Sequence, residues 1–262
     1  MDLKKITNSV ITIAKEAGYY IRSQKNSIKQ IQTKGIHNYV TEVDKNSEQF
    51  LTEQLTRLLD DSGFIAEEGI KNKKSDTYNW IIDPLDGTTN FIHGLMPVAV
   101  SIALMYKEEL LVGVIYEIGA DETFWAYKNG GAYLNKDKIQ VTNTHKLDDS
   151  LLATGFPFYD YKLLDKYMEL LKHFMQTSHG LRRLGSAATD LAYVACGRFD
   201  GFFEYSLNAW DVAAGALIVK EAGGKVADFR GEDNWLFGKE IIASNSLVFN
   251  EFVYTVKKFM YE

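Results

Sequence analysis

Two aspartates separated by a proline-containing turn follow an apolar run in the middle of the chain. Residues 80–82 are Trp-Ile-Ile, Asp83 comes next, and Asp86 lies three residues later, with Pro84 between them. The proline fixes the turn, so both carboxylates can point into one crevice, where each raises the other's pKa unless a cation lies between them. Aspartates and a backbone carbonyl supply the oxygen ligands that Mg²⁺ prefers. A short helix opened by Gly87-Thr88 would add free N–H groups that favour a phosphate.

Each acidic position also has an ordinary structural explanation. Asp-Pro and Asp-Gly are common turn pairs. Glu67-Glu68, directly after the apolar run 64–66, could form a solvated turn, and Asp211, at the start of a strongly apolar helix, could serve only as its cap. All three positions lie beside apolar runs, however. Together they favour one buried acidic cluster over three unrelated turns.

Composition excludes several classes of protein. The chain has 262 residues, 29 Lys+Arg against 35 Asp+Glu, a net charge of −6 and 46% apolar residues. That is enough apolar material for a folded core and the wrong charge for non-specific binding of nucleic acid, so we expect no direct nucleic-acid partner. The single cysteine, Cys196, excludes an internal disulfide and a cysteine-based metal site. Residues 1–25 lack the uninterrupted apolar region of a signal peptide, and the apolar stretch 95–106 is too short to span a bilayer, so we expect a cytoplasmic protein with no membrane partner.

The elements that must position the acidic residues fall into two halves. In residues 1–144, apolar spacings of three and four predict an amphipathic helix over 3–21 and a second helix opened by Asp44 and closed near Ser62-Gly63. The polar stretch 23–38 between them is typical of a strand or loop that can move. We predict that the run 80–82 stops at Asp83-Pro84 and that strands at 98–106, 110–118, 123–127 and 132–134 form an antiparallel meander.

From about residue 145 the pattern changes to helices alternating with strands. Helical patterns cover 163–175, 186–196 and 211–222, and strand candidates cover 151–154, 201–204 and 241–243. This alternation is typical of an α/β unit. We therefore predict an α+β half over 1–144 with most metal ligands and an α/β half over 145–262 with Asp211 and substrate-pocket residues. No low-complexity linker separates them, so we expect one compact unit.

Two long motifs resemble, in order, the signatures of the inositol monophosphatase family. Residues 80–91, Trp-Ile-Ile-Asp-Pro-Leu-Asp-Gly-Thr-Thr-Asn-Phe, resemble the first signature, and residues 210–224, which begin Trp-Asp-Val-Ala-Ala-Gly, resemble the second. Supporting matches occur at 40–44, 64–68, 152–157 and 183–188, so the resemblance covers essentially the whole chain and is closest to the bacterial branch. It implies a five-layer αβαβα sandwich and a homodimer.

The resemblance also implies a magnesium-dependent, lithium-sensitive phosphatase with two metal ions in each active site and a loosely held third. The ligands carried over residue by residue are Glu67, Asp83 and the carbonyl of Leu85 for the first ion, and Asp83, Asp86 and Asp211 for the second. The third ion would lie near Glu67 and a mobile segment that includes Lys34 and Asn38.

The same resemblance assigns catalytic and substrate-binding residues. The catalytic residues would be Glu67, Thr88 and Asp44, with Thr88 orienting the nucleophilic water and Asp44 behind it as a proton-relay partner. The amides of Gly87 and Thr88 would hold the phosphate, and Glu204 would contact inositol hydroxyls. The full substrate-binding set would be Asp86, Gly87, Thr88, Gly185, Ser186, Ala187, Glu204 and Asp211.

The leading interpretation is a phosphomonoesterase that hydrolyses myo-inositol monophosphate to inositol and phosphate. Members of the wider superfamily cleave other small phosphate esters, so the 2′-phosphate of NADP, fructose 1,6-bisphosphate and histidinol phosphate stay open as alternative substrates. Some bacterial relatives also bind the transcription machinery, with surfaces near Arg182-Arg183 used for partner contacts. A regulatory role in transcription or RNA processing, with a transcription-factor partner, is therefore an alternative from a different class.

Overall fold

Two large β-sheets, flanked and separated by helices, make up the protein. The computed structural model describes residues 1–25, 31–35, 38–71 and 73–262, and the side chains of residues 31–35 and 38–40 lie outside this description. The helices are α1 (Leu3–Ser23), α2 (Glu42–Leu58), α3 (Thr88–Ile92), α4 (Leu164–Thr177), α5 (Ala187–Ala195), α6 (Ala209–Glu221) and α7 (Phe249–Tyr261). The strands are β1 (Ile31–Gly35), β2 (Asn38–Thr41), β3 (Gly63–Ala66), β4 (Tyr78–Asp86), β5 (Ala99–Tyr106), β6 (Glu109–Glu117), β7 (Glu122–Tyr127), β8 (Ala132–Leu134), β9 (Asp137–Ile139), β10 (Leu151–Thr154), β11 (Gly180–Arg182), β12 (Gly201–Tyr205), β13 (Lys225–Ala227) and β14 (Glu240–Ser244).

The larger sheet has seven strands in the order β3-β4-β5-β6-β7-β8-β9. Strands β3 and β4 run parallel, whereas the neighbouring pairs from β4 to β9 are antiparallel and consecutive in the chain, which is the predicted meander. The smaller sheet has five strands in the order β11-β10-β12-β14-β13, and β10 runs parallel to both of its neighbours. Each sheet therefore has one region where the carboxyl ends of parallel strands meet.

The helices form three layers around the two sheets. Helices α1 and α2 pack on one face of the larger sheet, and α5 and α6 lie between the sheets and contact strands of both. Helices α4 and α7 cover the far face of the smaller sheet. Alternate residues of β4 face different layers, with Trp80 and Ile82 in the α1–α2 core and Ile81 in the α5–α6 core. The order helix, sheet, helix, sheet, helix confirms the predicted five-layer αβαβα sandwich.

Helix α6 approaches the larger sheet most tightly at Gly113 on β6. A Cβ atom at this glycine would lie 2.7 Å from the carbonyl oxygen of Ala214 and 3.2 Å from its Cα atom. Both of these atoms belong to the backbone of α6, so neither can swing aside to make room. The close contact fixes the distance between α6 and the sheet. It thereby sets the position of Asp211, in the first turn of α6, relative to the strands below.

Strand β4 corrects the prediction that the apolar run stops at Asp83-Pro84. The strand continues through Pro84 to Asp86, and its pairing with β5 shifts between Asp83 and Asp86. A proline cannot donate a ladder hydrogen bond, and it is tolerated where the ladder is already irregular. Asp83 and Asp86 therefore both belong to the end of one buried strand.

Helix α2 begins earlier than predicted. Its N-cap is Thr41, and Asp44 lies in the first turn, where its Oδ2 accepts a hydrogen bond from the Thr41 backbone N–H at 2.8 Å. Asp44 therefore closes a capping box with Thr41 and does not itself open the helix. The short strands β9, β11 and β13 and helix α7 were not predicted.

The predicted mobile segment overlaps a two-stranded antiparallel hairpin, β1–β2. Lys34 lies on β1 and Asn38 on β2, but their side chains lie outside the described residues, and the mobility of the segment stays a prediction. No helix in the described ranges is both long enough and apolar enough to cross a membrane.

Candidate active site

Glu67 and Asp83 are brought together by the parallel pair β3–β4. Ala66, the last residue of β3, is opposite Ile82 in β4. Glu67 and Asp83 are the next residues along these two chains, and parallel strands end at the same edge of a sheet. The two side chains therefore start from neighbouring backbone positions. Both line one cavity at this edge.

Asp86 links the end of β4 to the start of α5. Its Oδ2 atom accepts a hydrogen bond from the Ser186 hydroxyl at 2.6 Å and another from the Ala188 backbone N–H at 2.8 Å. The free N–H groups in the first turn of a helix favour such an anionic partner. Asp86 thereby holds the start of α5, including Ser186 and Ala187, against the wall of the same cavity.

Asp211 reaches the cavity from the first turn of α6. Its Oδ2 atom accepts a hydrogen bond from the backbone N–H of Asn208 at 2.6 Å and closes a capping box, so the N-cap of α6 is Asn208 and not Asp211, as the structural explanation had it. It also lines the cavity that Glu67, Asp83 and Asp86 line. The two roles are compatible because a carboxylate has several lone pairs and the cap uses one.

The cavity collects nearly all of the predicted site residues. Its lining includes Glu67, Asp83, Leu85, Asp86, Gly87, Thr88, Gly185, Ser186, Ala187, Glu204 and Asp211. Asp44 is not part of the lining but contacts Thr88, and the side chains of Lys34 and Asn38 are not described. The structure therefore brings these residues together in one cavity, and their functional roles stay predictions.

Thr88 opens helix α3 and contacts the buried carboxylate of Asp44. Its Oγ1 lies 3.0 Å from Asp44 Oδ1 and 3.1 Å from the carbonyl oxygen of Leu85, both of which accept hydrogen bonds. Gly87, the N-cap of α3, has a φ of 93°, a left-handed conformation that glycine adopts at little cost. Asp44 is 1% exposed, and burial raises its pKa above the ordinary value while hydrogen bonds from Thr41 and Thr88 oppose the shift.

Burial disfavours ionisation of the three aspartates, and repulsion from neighbouring carboxylates adds to this effect at Asp83 and Asp211. Burial raises the pKa of Asp83 well above its ordinary value, and repulsion from Glu67, Asp86 and Asp211 raises it further. Burial also raises the pKa of Asp86 to about 6, against the opposing hydrogen bond from Ser186. Burial and the charge of Asp86 raise the pKa of Asp211. No lysine or arginine within the described ranges forms an ion pair with Asp83, Asp86 or Asp211.

This donor set fits hard divalent cations. Buried carboxylates that repel one another are stabilised by a cation between them, and an all-oxygen set with a nearby backbone carbonyl suits Mg²⁺ better than a softer metal. In the part of the chain that the structure describes, no group of three or more His, Cys, Asp or Glu side chains is already arranged to hold a metal ion. The carbonyl oxygen of Leu85, water or a phosphate can supply further oxygen ligands to a cation in this cavity.

Glu204 lies in the cavity apart from this acidic cluster. It is the fourth residue of β12 and only 6% exposed. Burial raises its pKa to about 8, the Arg183 guanidinium opposes the shift, and Asp86 adds to it. Either protonation state can hydrogen-bond a hydroxyl, since the carboxylate accepts and the acid also donates. The position of Glu204 therefore suits recognition of a polar group that is attached to a phosphate.

Sequence reasoning missed several residues of the cavity wall. Asp190 is 1% exposed and lines the cavity, and its Oδ1 atom is buried without a hydrogen-bond partner. Burial and the neighbouring Glu204 raise its pKa well above the ordinary value. Tyr159, whose hydroxyl donates to the Ser206 carbonyl at 2.7 Å, also lines the wall. A signal for Asp190 was available, because it lies one helical turn after Ser186 in an otherwise largely apolar helix.

The chain is similar to known proteins over nearly its whole length. The model of the inositol monophosphatase family matches residues 2–259. The chain is 43% identical over 244 residues to a putative Nus factor SuhB of Neisseria meningitidis serogroup B, covering 92% of this chain and 94% of that protein. It is 42% identical over 217 residues to an inositol-1-monophosphatase of Rhizobium meliloti, covering 82% of each. The crystal structure of extragenic suppressor protein SuhB from Bartonella henselae matches with a TM-score of 0.92 and 37% identity, covering 97% of this chain and 99% of that one. The chain belongs to the inositol monophosphatase family.

Proposed function

We propose that this protein is a magnesium-dependent phosphomonoesterase that hydrolyses myo-inositol monophosphate to inositol and phosphate. The observation that carries the proposal is the convergence of Glu67, Asp83, Asp86 and Asp211 in one cavity, beside Thr88 and with Glu204 in the same wall. Membership of the inositol monophosphatase family supports phosphatase activity. The inositol-1-monophosphatase name of a relative supports the substrate.

The acidic cluster would hold two cations. Glu67, Asp83 and the Leu85 carbonyl would bind one, Asp83, Asp86 and Asp211 would bind the second, and a third would be held loosely near Glu67 and the segment with Lys34 and Asn38. Such cations would lower the pKa of the attacking water and neutralise charge on the phosphoryl and leaving oxygens. Asp83 is shared between the two sets, so its carboxylate is the most sensitive position.

Thr88 and Asp44 would handle the proton of the attacking water. The Thr88 hydroxyl can donate to Asp44 at 3.0 Å, which leaves its lone pairs to accept a hydrogen bond from water in the cavity. As the water oxygen forms its bond to phosphorus, its proton would pass through Thr88 towards Asp44, the ester bond to the alcohol would break, and the leaving alkoxide would take a proton from solvent water to give inositol. Burial raises the pKa of Asp44, and a higher pKa makes its carboxylate a better proton acceptor.

The remaining cavity residues would bind the phosphate and the alcohol. The amides of Gly87 and Thr88 would hold phosphate oxygens, and Asp86 and Asp211 would approach the ester from the cluster. Gly185, Ser186 and Ala187 would form the wall beside the polyol ring, opposite Glu204. Fructose 1,6-bisphosphate, the 2′-phosphate of NADP and histidinol phosphate are the alternative substrates.

We expect Glu204→Ala to weaken recognition of inositol monophosphate selectively. Above the raised pKa of Glu204, about 8, its carboxylate is ionised, and a hydrogen bond to a charged group contributes roughly 1.5–3 kcal/mol, which corresponds to a ten- to hundredfold effect. Because Glu204 would contact hydroxyls in both ground and transition states, KM should rise more than kcat falls. Steady-state kinetics on myo-inositol 1-phosphate and on an aryl phosphate without hydroxyls would separate the two effects, since the aryl phosphate should be almost unaffected.

Glu169→Ala is the matched control, because Glu169 lies on α4 with an exposed side chain. It should leave both substrates unchanged. Equal losses on both substrates in Glu204→Ala would show that Glu204 supports the fold or the cations and that inositol recognition lies elsewhere.

We also expect inhibition by Li⁺. The set Asp83, Asp86 and Asp211 attracts a small cation, but Li⁺ supplies one positive charge where Mg²⁺ supplies two. The negative charge on the leaving oxygen and on the product phosphate would therefore be neutralised less completely, and turnover would slow. A steady-state titration with Li⁺ at fixed Mg²⁺ measures this, with K⁺ as the ionic-strength control. Unchanged rates at high millimolar Li⁺ would contradict the assignment of the second cation set.

A binding role in transcription is the second candidate, because relatives of this chain are named Nus factors. The two functions can be separated with one variant. An Asp83→Asn protein that has lost phosphatase activity but still captures defined, purified transcription factors would favour the binding role. The homodimer and the cytoplasmic location stay predictions.

A further inference from the structure

The carboxylate of Glu204 fills the space beside Gly155 that a side chain at this position would occupy. A Cβ atom built on Gly155 would lie 2.1 Å from the Glu204 carboxyl carbon and 2.1 Å from each of its oxygens. The φ of Gly155 is outside the left-handed region, so glycine is not needed here for its backbone conformation. It is needed because any side chain would occupy the space that the Glu204 carboxylate fills.

The buried hydroxyls of Tyr167 and Thr154 hold Gly155 in place. The Tyr167 hydroxyl, on α4, contacts Thr154 Oγ1 and lies 3.2 Å from the carbonyl oxygen of Gly155 and 3.3 Å from that of Phe203. Thr154 Oγ1 in turn donates to the Phe203 carbonyl at 2.8 Å. Tyr167 and Thr154 are 0% and 2% exposed. The hydroxyls therefore tie the end of β10 to β12, immediately before Glu204.

The parallel pairing of β10 with β12 places Gly155 next to Glu204. Strands β10 and β12 are parallel, with Thr154 opposite Phe203. Gly155 and Glu204 are the next residues along the two chains, so they meet at the carboxyl edge of the smaller sheet. A displacement of Gly155 towards β12 would push the Glu204 carboxylate, and a displacement away from β12 would leave it free to rotate.

We infer that Gly155 and Tyr167 are positioning residues that fix the Glu204 carboxylate in the orientation that recognises polyol hydroxyls. Gly155 leaves room for the Glu204 carboxylate because it has no side chain. The Tyr167 hydroxyl, close to the carbonyl oxygens of both Gly155 and Phe203, fixes the position of Gly155 relative to β12. The inference rests on the proposed function, because it assigns these residues to substrate choice through Glu204. Gly155 and Tyr167 would orient the Glu204 carboxylate, and neither residue needs to touch the polyol.

The test compares Gly155→Ala, Tyr167→Phe, Glu204→Ala and the Gly155→Ala/Glu204→Ala double variant on myo-inositol 1-phosphate and on p-nitrophenyl phosphate with Mg²⁺. We expect Gly155→Ala to raise KM for the inositol ester roughly tenfold, as loss of one oriented hydrogen bond would, with kcat/KM for the aryl ester within about twofold. Tyr167→Phe should give a smaller shift in the same direction. Tyr254→Phe, at an exposed tyrosine of α7, is the matched control.

The double variant separates positioning from a purely structural role. If Gly155 acts through Glu204, adding Gly155→Ala to Glu204→Ala should change neither substrate further. Effects that add fully, or equal losses on both esters in Gly155→Ala and Tyr167→Phe, would overturn the inference. Loss of selectivity in Glu204→Ala with none in Gly155→Ala would overturn the inference alone. No selective effect in Glu204→Ala would overturn the proposed polyol contact and the inference with it.

Discussion

Asp83→Asn is expected to lower kcat by several orders of magnitude, on the order of 10³ or more, at saturating Mg²⁺. Asp83 is 1% exposed at the end of β4 and lies beside Glu67, Asp86 and Asp211. The asparagine has the same shape but lacks the charge that both proposed cation sets share. Phosphate release from myo-inositol 1-phosphate, measured over a Mg²⁺ series, gives the effect on kcat and on the apparent affinity for Mg²⁺.

The same variant should fold well, which makes the loss of activity interpretable. Burial and repulsion from Glu67, Asp86 and Asp211 raise the pKa of Asp83, so a neutral asparagine at this position should leave the metal-free protein at least as heat-stable as the wild type. Added Mg²⁺ should then raise the Tm of the wild type more than that of the variant. Asp165→Asn, an exposed change on α4, is the control. Near-wild-type turnover of Asp83→Asn at saturating Mg²⁺ would show that the cation assignment is wrong.

Thr88→Val is expected to lower kcat by about 10²–10⁴, the usual contribution of a positioned proton-transfer group. Valine keeps the shape of threonine but removes the hydroxyl that contacts Asp44 at 3.0 Å. The KM for inositol monophosphate should change little, because the Thr88 backbone amide remains. Single-turnover and steady-state phosphate release would show whether the chemical step itself is slowed.

Thr88→Ser restores a hydroxyl at the same position and should recover most of the activity. Thr12→Val, at an exposed threonine on α1, should have no effect. If Thr88→Val retains activity within a few-fold of wild type, the attacking water is oriented by other groups, and the proton path through Asp44 must be abandoned.

The fold was readable from the sequence where elements are long or buried on both faces. Strands β5 and β6 are nearly continuous apolar runs because helices cover both faces of their sheet, and α1 has an apolar stripe because only one of its faces is buried. The end of β4 was missed because the irregular pairing that tolerates Pro84 depends on β5, which local sequence does not reveal. The three-residue strands β11 and β13 exist only through their partners in the smaller sheet.

Residues of the candidate site could be predicted where an acidic side chain directly follows an apolar run in the sequence. Asp83 and Asp86 directly follow an apolar run, and the register of β3 with β4 explains why Glu67 lies next to them. Asp190 interrupts a largely apolar helix in the sequence, but its burial follows from the packing of α5 between the two sheets, which local sequence does not reveal. The contact of Gly155 with Glu204 was also inaccessible, since it depends on the parallel pairing of β10 with β12. Local sequence therefore identified the acidic groups, while tertiary packing decides how the substrate end of the cavity is shaped.

The most direct test is phosphate release by the purified full-length protein from a panel of phosphate esters, with Mg²⁺ and with EDTA. The panel contains myo-inositol 1-phosphate, fructose 1,6-bisphosphate, NADP, histidinol phosphate and p-nitrophenyl phosphate. We predict the highest kcat/KM for myo-inositol 1-phosphate, complete loss of release in EDTA and full recovery when Mg²⁺ is restored. Release that persists in EDTA, or no hydrolysis of any ester at saturating Mg²⁺, would contradict the proposal that this acidic cavity is the active site of a magnesium-dependent phosphomonoesterase.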